Sequence, residues 1–151
     1  MKKVSLLLVF VLLFTLSACS TKDFINAKFY FSNDADTIAY EIISIQNETM
    51  IDDVKYHMER LNNIKIDNLW LQDKTFYIDL NAREKDNFNR GSYAGTISTC
   101  ILLETFFSFP NVKKVRILVD GEYNIWAEHF DFRMPFDKKD SYCDWITVVE
   151  P

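Results

Sequence analysis

Leu16-Ser17-Ala18-Cys19 sets a cysteine directly behind two small residues, and a thiol in that position is an acceptor for a diacylglyceryl group. Its upstream context fits that chemistry. Lys2 and Lys3 precede an apolar run from Val4 to Leu16, polar only at Ser5 and Thr15. A helix needs about 20 apolar residues to cross the hydrocarbon core, so this shorter run reads as a secretory leader with a lipoprotein cleavage site. Residues 1–18 are therefore expected to be a signal peptide and Cys19 the lipidation site, with the mature chain on the outer face of the cell membrane. Two or three acyl chains anchor stably where one binds only marginally.

The other two cysteines, Cys100 and Cys143, would sit in a compartment where thiols oxidise. Two readings stand. A bridge between them would close a loop of about 44 residues and stabilise the fold by about 4 kcal/mol. Alternatively, Cys100 lies in an apolar helix-like run where an unpaired thiol serves as a small core residue.

An enzyme needs a reactive constellation, and the candidates are sparse. His57 and His129 are the two histidines, without zinc-type spacing, and no glycine-rich phosphate loop occurs. His57 borders an apolar stripe, which suits a partly buried structural histidine. Asp131, Asp137, Asp140 and Asp144 lack the spacing and the glycine of an EF-hand loop and read as a solvated acidic tail. The expectation is a chain that is not an enzyme and has no cofactor or bound metal. The aromatic series Tyr123, Trp126, Phe130, Phe132, Phe136, Tyr142 and Trp145 carries two readings, cover for a sheet or a recognition surface. On the second reading, Tyr123, Trp126, Tyr142 and Trp145 are the candidate interaction surface for an envelope protein or a cell-wall glycan.

Composition narrows the partners further. The 133 residues from Cys19 to Pro151 suit one domain. Without Lys2 and Lys3 the mature chain keeps 15 basic against 22 acidic residues, a net charge of −7, which disfavours nucleic acid and anionic lipid. Residues 19–25 would be a short tether, spanning at most about 20 Å if extended. Residues 26–151 would then form a single domain held low over the bilayer.

Periodicity supplies the elements that must position these residues. Asn26 to Phe31 and Ile38 to Ile45 read as strands. Ile51, Val54, Met58 and Leu61 recur at helical intervals over Glu48 to Leu61 and predict an amphipathic helix. Ile64 to Leu71 and Thr75 to Leu80 form a hairpin around Gln72-Asp73-Lys74, followed by a polar surface loop, Arg83 to Arg90. Ser92 to Ser108 is apolar around most of its circumference and predicts a buried helix stopped by Phe109-Pro110. Val112 to Val119 is a half-buried strand, and Asp120-Gly121 predicts a turn into a return strand over Tyr123 to Glu128. The whole implies an α+β fold, with two helices packed on one face of a mixed β-sheet.

Gly91 to Gly95, Glu104 to Pro110, and the run Val112-Lys113-Lys114-Val115 through Asp120-Gly121 together resemble the second half of the sporulation and spore germination domain GerMN. Phe76 to Asn81 is similar to that family's middle strand and Phe29-Tyr30-Phe31 to its first. The first half departs at Asn62 to Ile66 and at Tyr40 to Ile43. The resemblance spans roughly Asn26 to Met134. It implies an architecture like the ring-building motif, found in membrane-anchored proteins of Gram-positive spore formers, and action by protein association in the cell envelope.

Overall fold

The computed structural model describes residues 23–34, 37–84, 88, 92–123 and 130–150. β1 (Phe24–Asp34) and β2 (Thr37–Gln46) form a long antiparallel hairpin. Ile25, Ala27 and Phe29 alternate toward the core while Asn26 and Lys28 face out, the period-2 pattern of a half-buried strand. A single 3-10 turn at Asn47–Thr49 leads into α1 (Met50–Asn62). Val54 and Met58 are fully buried on the apolar stripe of α1. Asn63 ends it in left-handed geometry, its N–H donating back to the Glu59 carbonyl.

β3 (Ile66–Gln72) and β4 (Thr75–Leu80) pair through a two-residue turn in which Asp73 and Lys74 both take positive φ. That is the twist-matched hairpin geometry. α2 (Ser92–Ser108) follows, then β5 (Lys114–Val119), β6 (Phe136–Asp137) and β7 (Thr147–Val149). Asp120 and Gly121 again take positive φ, and Val119 and Glu122 exchange backbone bonds across the turn. The return strand expected over Tyr123 to Glu128 lies almost wholly outside the described residues.

The fold is α+β, and among the described residues α1 and α2 accompany strands that divide between two mixed sheets where one was expected. β1, β2 and β7 form the first, with β7 parallel to β2, and β3, β4, β5 and β6 form the second. The edge of β1 explains the division. The Thr105 hydroxyl oxygen accepts from Tyr30 N at 3.0 Å, and that of Ser108 accepts from Lys28 N at 2.9 Å. The Ser108 hydroxyl also points at the Lys28 carbonyl, and the Asn62 amide donates to the Tyr30 carbonyl. Helix side chains thus occupy the edge at which a further strand would have paired.

Rings join the two sheets. Phe109, just past α2, packs edge-on to Phe29 of the first sheet and to Phe76 of the second, with centroids 6.1 and 5.3 Å apart. Phe106 closes on Phe76 at 4.9 Å. Edge-to-face pairs of this kind add about 1 kcal/mol each beyond burial.

Two expectations are corrected. β1 begins at Phe24, and Asn47 N donates to Asp23 O, so Phe24 and Ile25 belong to the sheet and not to the tether. The loop after β4 is not wholly on the surface, because Glu84 and Phe88 are buried, Phe88 edge-on to Phe132 at 6.2 Å. One ring among charged neighbours suffices to draw that segment onto the core, and periodicity does not register a single anchor.

Thr105→Val keeps the size of the side chain but leaves Tyr30 N–H buried without an acceptor. A loss of about 1–3 kcal/mol is expected from urea unfolding, with Thr105→Ser close to wild type.

Candidate functional site

The residues singled out from sequence are placed in different surroundings. Cys19 and Trp126, with His129, lie outside the described residues. Cys100 and Cys143 are bonded to each other, Cα atoms 5.7 Å apart, and both are buried. The bridge fastens the C-terminal segment to the middle of α2.

Tyr123 is exposed, with the Arg116 guanidinium 4.0 Å from its ring centre. Tyr142 packs edge-on against Phe136 at 5.1 Å; its hydroxyl accepts from Asp137 N and donates to Asp140. Burial first, then the Asp140 bond and the nearby carboxylates, move its phenol above the ordinary tyrosine range, against the Asp137 N–H, which pulls it down. Phe130, Phe132 and Phe136 continue this packing inward. Trp145 is half exposed, its ring 5.7 Å from Tyr93 at the start of α2. Among the described residues, Tyr123, Tyr142 and Trp145 therefore have separate neighbours. Tyr142 belongs to the aromatic cover of the core, while Tyr123 and Trp145 stand at the surface.

Two clefts flank the helices. One, of 570 Å³, lies between the end of α1 and the start of α2, with Arg60, Asn62 and Tyr93 at its walls and Ile64, Ile97 and Ile101 beneath. Arg60 is paired with Glu41 at 2.8 Å across this side of the molecule. Trp145 abuts Tyr93, so an exposed indole and phenol stand beside this cleft.

The second cleft, of 510 Å³, brings Lys28, Tyr30, Glu104, Phe107, Lys138 and Asp144 together where α2 meets β1 and the tail. Burial, and then the charge of Asp144, push the Glu104 carboxyl above the usual carboxylate range, against the pull of Lys138 and Lys28. Burial, with Glu104 beside it, raises the Tyr30 phenol to about 12. Lys138 donates to the Phe107 carbonyl, and Lys28 sits 4.1 Å over the Tyr40 ring. Three hydroxyls of α2 bond to backbone, those of Thr105 and Ser108 at β1 and that of Thr99 at the Gly95 carbonyl. They brace the fold.

His57 packs between Phe29 and Tyr56, with Arg60 Nη2 3.5 Å from its Nδ1. Burial, and then Arg60, lower its pKa, so neutral imidazole is favoured there. The aspartates of the tail organise local turns. Asp131 takes Arg133 at 2.7 Å, and Asp137 accepts from Lys139 N.

Sequence reading missed a ladder on the outer face of the second sheet. Trp70, Tyr77 and Arg116 are register neighbours on β3, β4 and β5, and Trp70 lies parallel to Tyr77 at 4.9 Å. Tyr123 completes it by covering Arg116. The Arg116 Nε–H is buried with no hydrogen-bond partner, so the ring meets part of its charge. The available signal was period-2 alternation, which puts Trp70 and Tyr77 on one face once the hairpin register is set.

The sequence model of the Germane family, described as sporulation and spore germination, matches residues 28–124. The chain belongs to the Germane family. The match covers β1 from Lys28 onward, β2 to β5, α1 and α2, while β6, β7 and Cys143 lie beyond it. A crystal structure of a provisionally assigned lipoprotein from Clostridium perfringens is similar, at 16% identity and a TM-score of 0.48, over 79% of this chain and 89% of that one. No curated protein matches the chain. Among the described residues, no helix of this Germane chain is long and apolar enough to cross a membrane.

Two outcomes follow from this geometry. Removing the bridge by Cys143→Ser, or by reductant, is expected to lower unfolding free energy by about 2–5 kcal/mol, read from urea denaturation. Glu104 has a folded pKa above its unfolded one, so folding favours its protonated form. Its contribution is full below the unfolded value and is lost as pH rises through the folded one. Glu104→Gln should gain stability relative to wild type as pH is raised through that acidic window, and the difference should then level off. A pH series of urea unfolding curves checks it.

Proposed function

We propose that this chain is a lipid-anchored, extracytoplasmic and non-enzymatic domain that works by associating with other proteins of the cell envelope, in sporulation or spore germination. The observation that carries the reading is the Germane match over 28–124. The leader and Leu16-Ser17-Ala18-Cys19 support an anchor on the outer face of the membrane. With β1 starting at Phe24, only the residues from Ser20 to Asp23 separate Cys19 from folded structure. Extended, they reach roughly 15 Å, so partners would be met close to the bilayer. The hydroxyls bound to backbone around the second cleft support association over chemistry.

A second reading, binding of peptidoglycan or another cell-wall glycan, is favoured by one feature, the exposed Trp145–Tyr93 pair beside the first cleft. Aromatic faces flanked by amides and hydroxyls suit a sugar.

Cys19→Ala is expected to abolish lipid labelling and to leave the chain either released from the membrane or held as uncleaved precursor. Labelling that persists refutes the anchor. The native chain, captured from membranes, is expected to bring down an envelope protein in stoichiometric amount. Co-sedimentation with purified peptidoglycan that is lost in Trp145→Ala would instead favour the glycan reading.

A further inference from the structure

β3 is the edge of the second sheet, and it differs from the other edges of the molecule. The β1 edge is filled by Thr105, Ser108 and Asn62, whereas β6 and β7 are only two and three residues long. β3 has seven residues, Ile66–Gln72.

Its hairpin register fixes which backbone groups face outward. Gln72 and Thr75 flank a two-residue turn and form a hydrogen-bonded pair, so Trp70 and Asn68 also direct their N–H and C=O groups at β4. Leu69 and Leu71 then direct theirs away from the sheet. Among the described residues nothing bonds to those outward groups, although further along the Asp67 carbonyl accepts from Lys55 Nζ.

Edge strands are commonly blunted by charge, proline or a bulge. Here the bulge falls between Ile66 and Asn68, and Asn68 to Gln72 carries neither charge nor proline. Trp70 is 37% exposed and Leu71 43%.

The five residues also read alike in both directions: amide, leucine, tryptophan, leucine, amide. We propose that β3 pairs antiparallel with β3 of a second copy, about a two-fold axis at Trp70. Leu69 of each copy then faces Leu71 of the other, and the four outward groups of each strand close four backbone bonds with those of its partner. Asn68 faces Gln72, and the two Trp70 residues form the central non-hydrogen-bonded pair.

A second copy is the occupant that this order suits, because a two-fold axis at Trp70 sets leucine on leucine, amide on amide and ring on ring, with no charge at any of the five positions. Beyond the five residues, Asp67 of one copy meets Asp73 of the other, and this like-charge pair limits the ladder. The contact is smaller than the roughly 1,000 Å² of a stable interface, so the dimer is of about micromolar affinity or weaker. The pairing rests neither on the anchor nor on any envelope partner.

Trp70→Cys tests it in cells expressing the full chain. A non-hydrogen-bonded pair has Cα atoms about 4.5 Å apart, within disulfide range. The expected result is a covalent dimer on non-reducing gels, at least about tenfold above that from Glu59→Cys on the exposed side of α1. Adding Leu71→Pro, which removes an outward N–H and leaves β4 pairing intact, should return it to that background. Dimer no greater than the Glu59→Cys control, or a mixed disulfide with a different protein, overturns the proposal. Sedimentation of the unlabelled chain gives an independent reading. Wild type should show a dimer that Leu71→Lys dissociates, and a wild type that stays monomeric at high concentration overturns the proposal equally.

Discussion

The open edge of β1 is closed by side chains and not by another strand, and much of the architecture follows from that substitution. Lys28 and Tyr30 present four backbone groups there: Thr105 and Ser108 accept from the two N–H groups, Asn62 donates to the Tyr30 carbonyl, and the single Ser108 hydroxyl proton lies between the carbonyls of Thr105, at 2.7 Å, and Lys28, at 3.1 Å. Leaving such groups dry would cost more than the bonds return on balance, so the helices must hold a fixed height against the strand. α2 is thereby pinned along β1 at its C-terminal turns. Its buried rings then fall where Phe76 of the second sheet meets them. The two sheets share a core without sharing a hydrogen-bond ladder.

The tail repeats the same logic with covalent chemistry. β6 adds only two residues to β5 and β7 only three to β2, too few to hold the segment between them on their own. The Cys100–Cys143 bridge supplies the missing constraint, tying the segment to a helix that is already pinned. Phe132 and Phe136 then enter a pocket of rings that includes Phe88 from the segment before α2. Since the family match ends at residue 124, this stapled cover lies outside the part of the chain that makes it a Germane domain.

Local signals in the sequence were strong where local physics decides. α2 reads to the residue, because its apolar circumference and Phe109-Pro110 fix both its burial and its stop. The β3–β4 turn reads nearly as well. The division into two sheets was not legible, since it depends on Thr105 and Ser108, 75 and 80 residues from their strand partners, acting as edge caps. A threonine inside a helix ordinarily looks neutral. Phe88 was missed for a related reason, because one buried ring leaves no period. Of the interaction candidates, the sequence located exposed Tyr123 and Trp145 but gave no means of separating them from Tyr142, whose fate is decided by contact with Phe136. The proposed membrane anchor rests on residues 1–19, which lie outside the described residues.

The abundance of aromatic residues therefore says less about recognition than it first suggests. Trp70 and Tyr77 lie parallel, 4° apart in plane, so each spends a face on the other, and Tyr123 spends one on Arg116. Rings stacked in this way stiffen a sheet but present mainly edges outward, a poor bed for a sugar and a reasonable flank for an incoming strand. Tyr93 and Trp145 differ, tilted by 58° and half exposed, so neither face is fully claimed by the other. The backbone pairing proposed at β3 and the ring stacking proposed at Trp145 would thus use separate regions built from different physics.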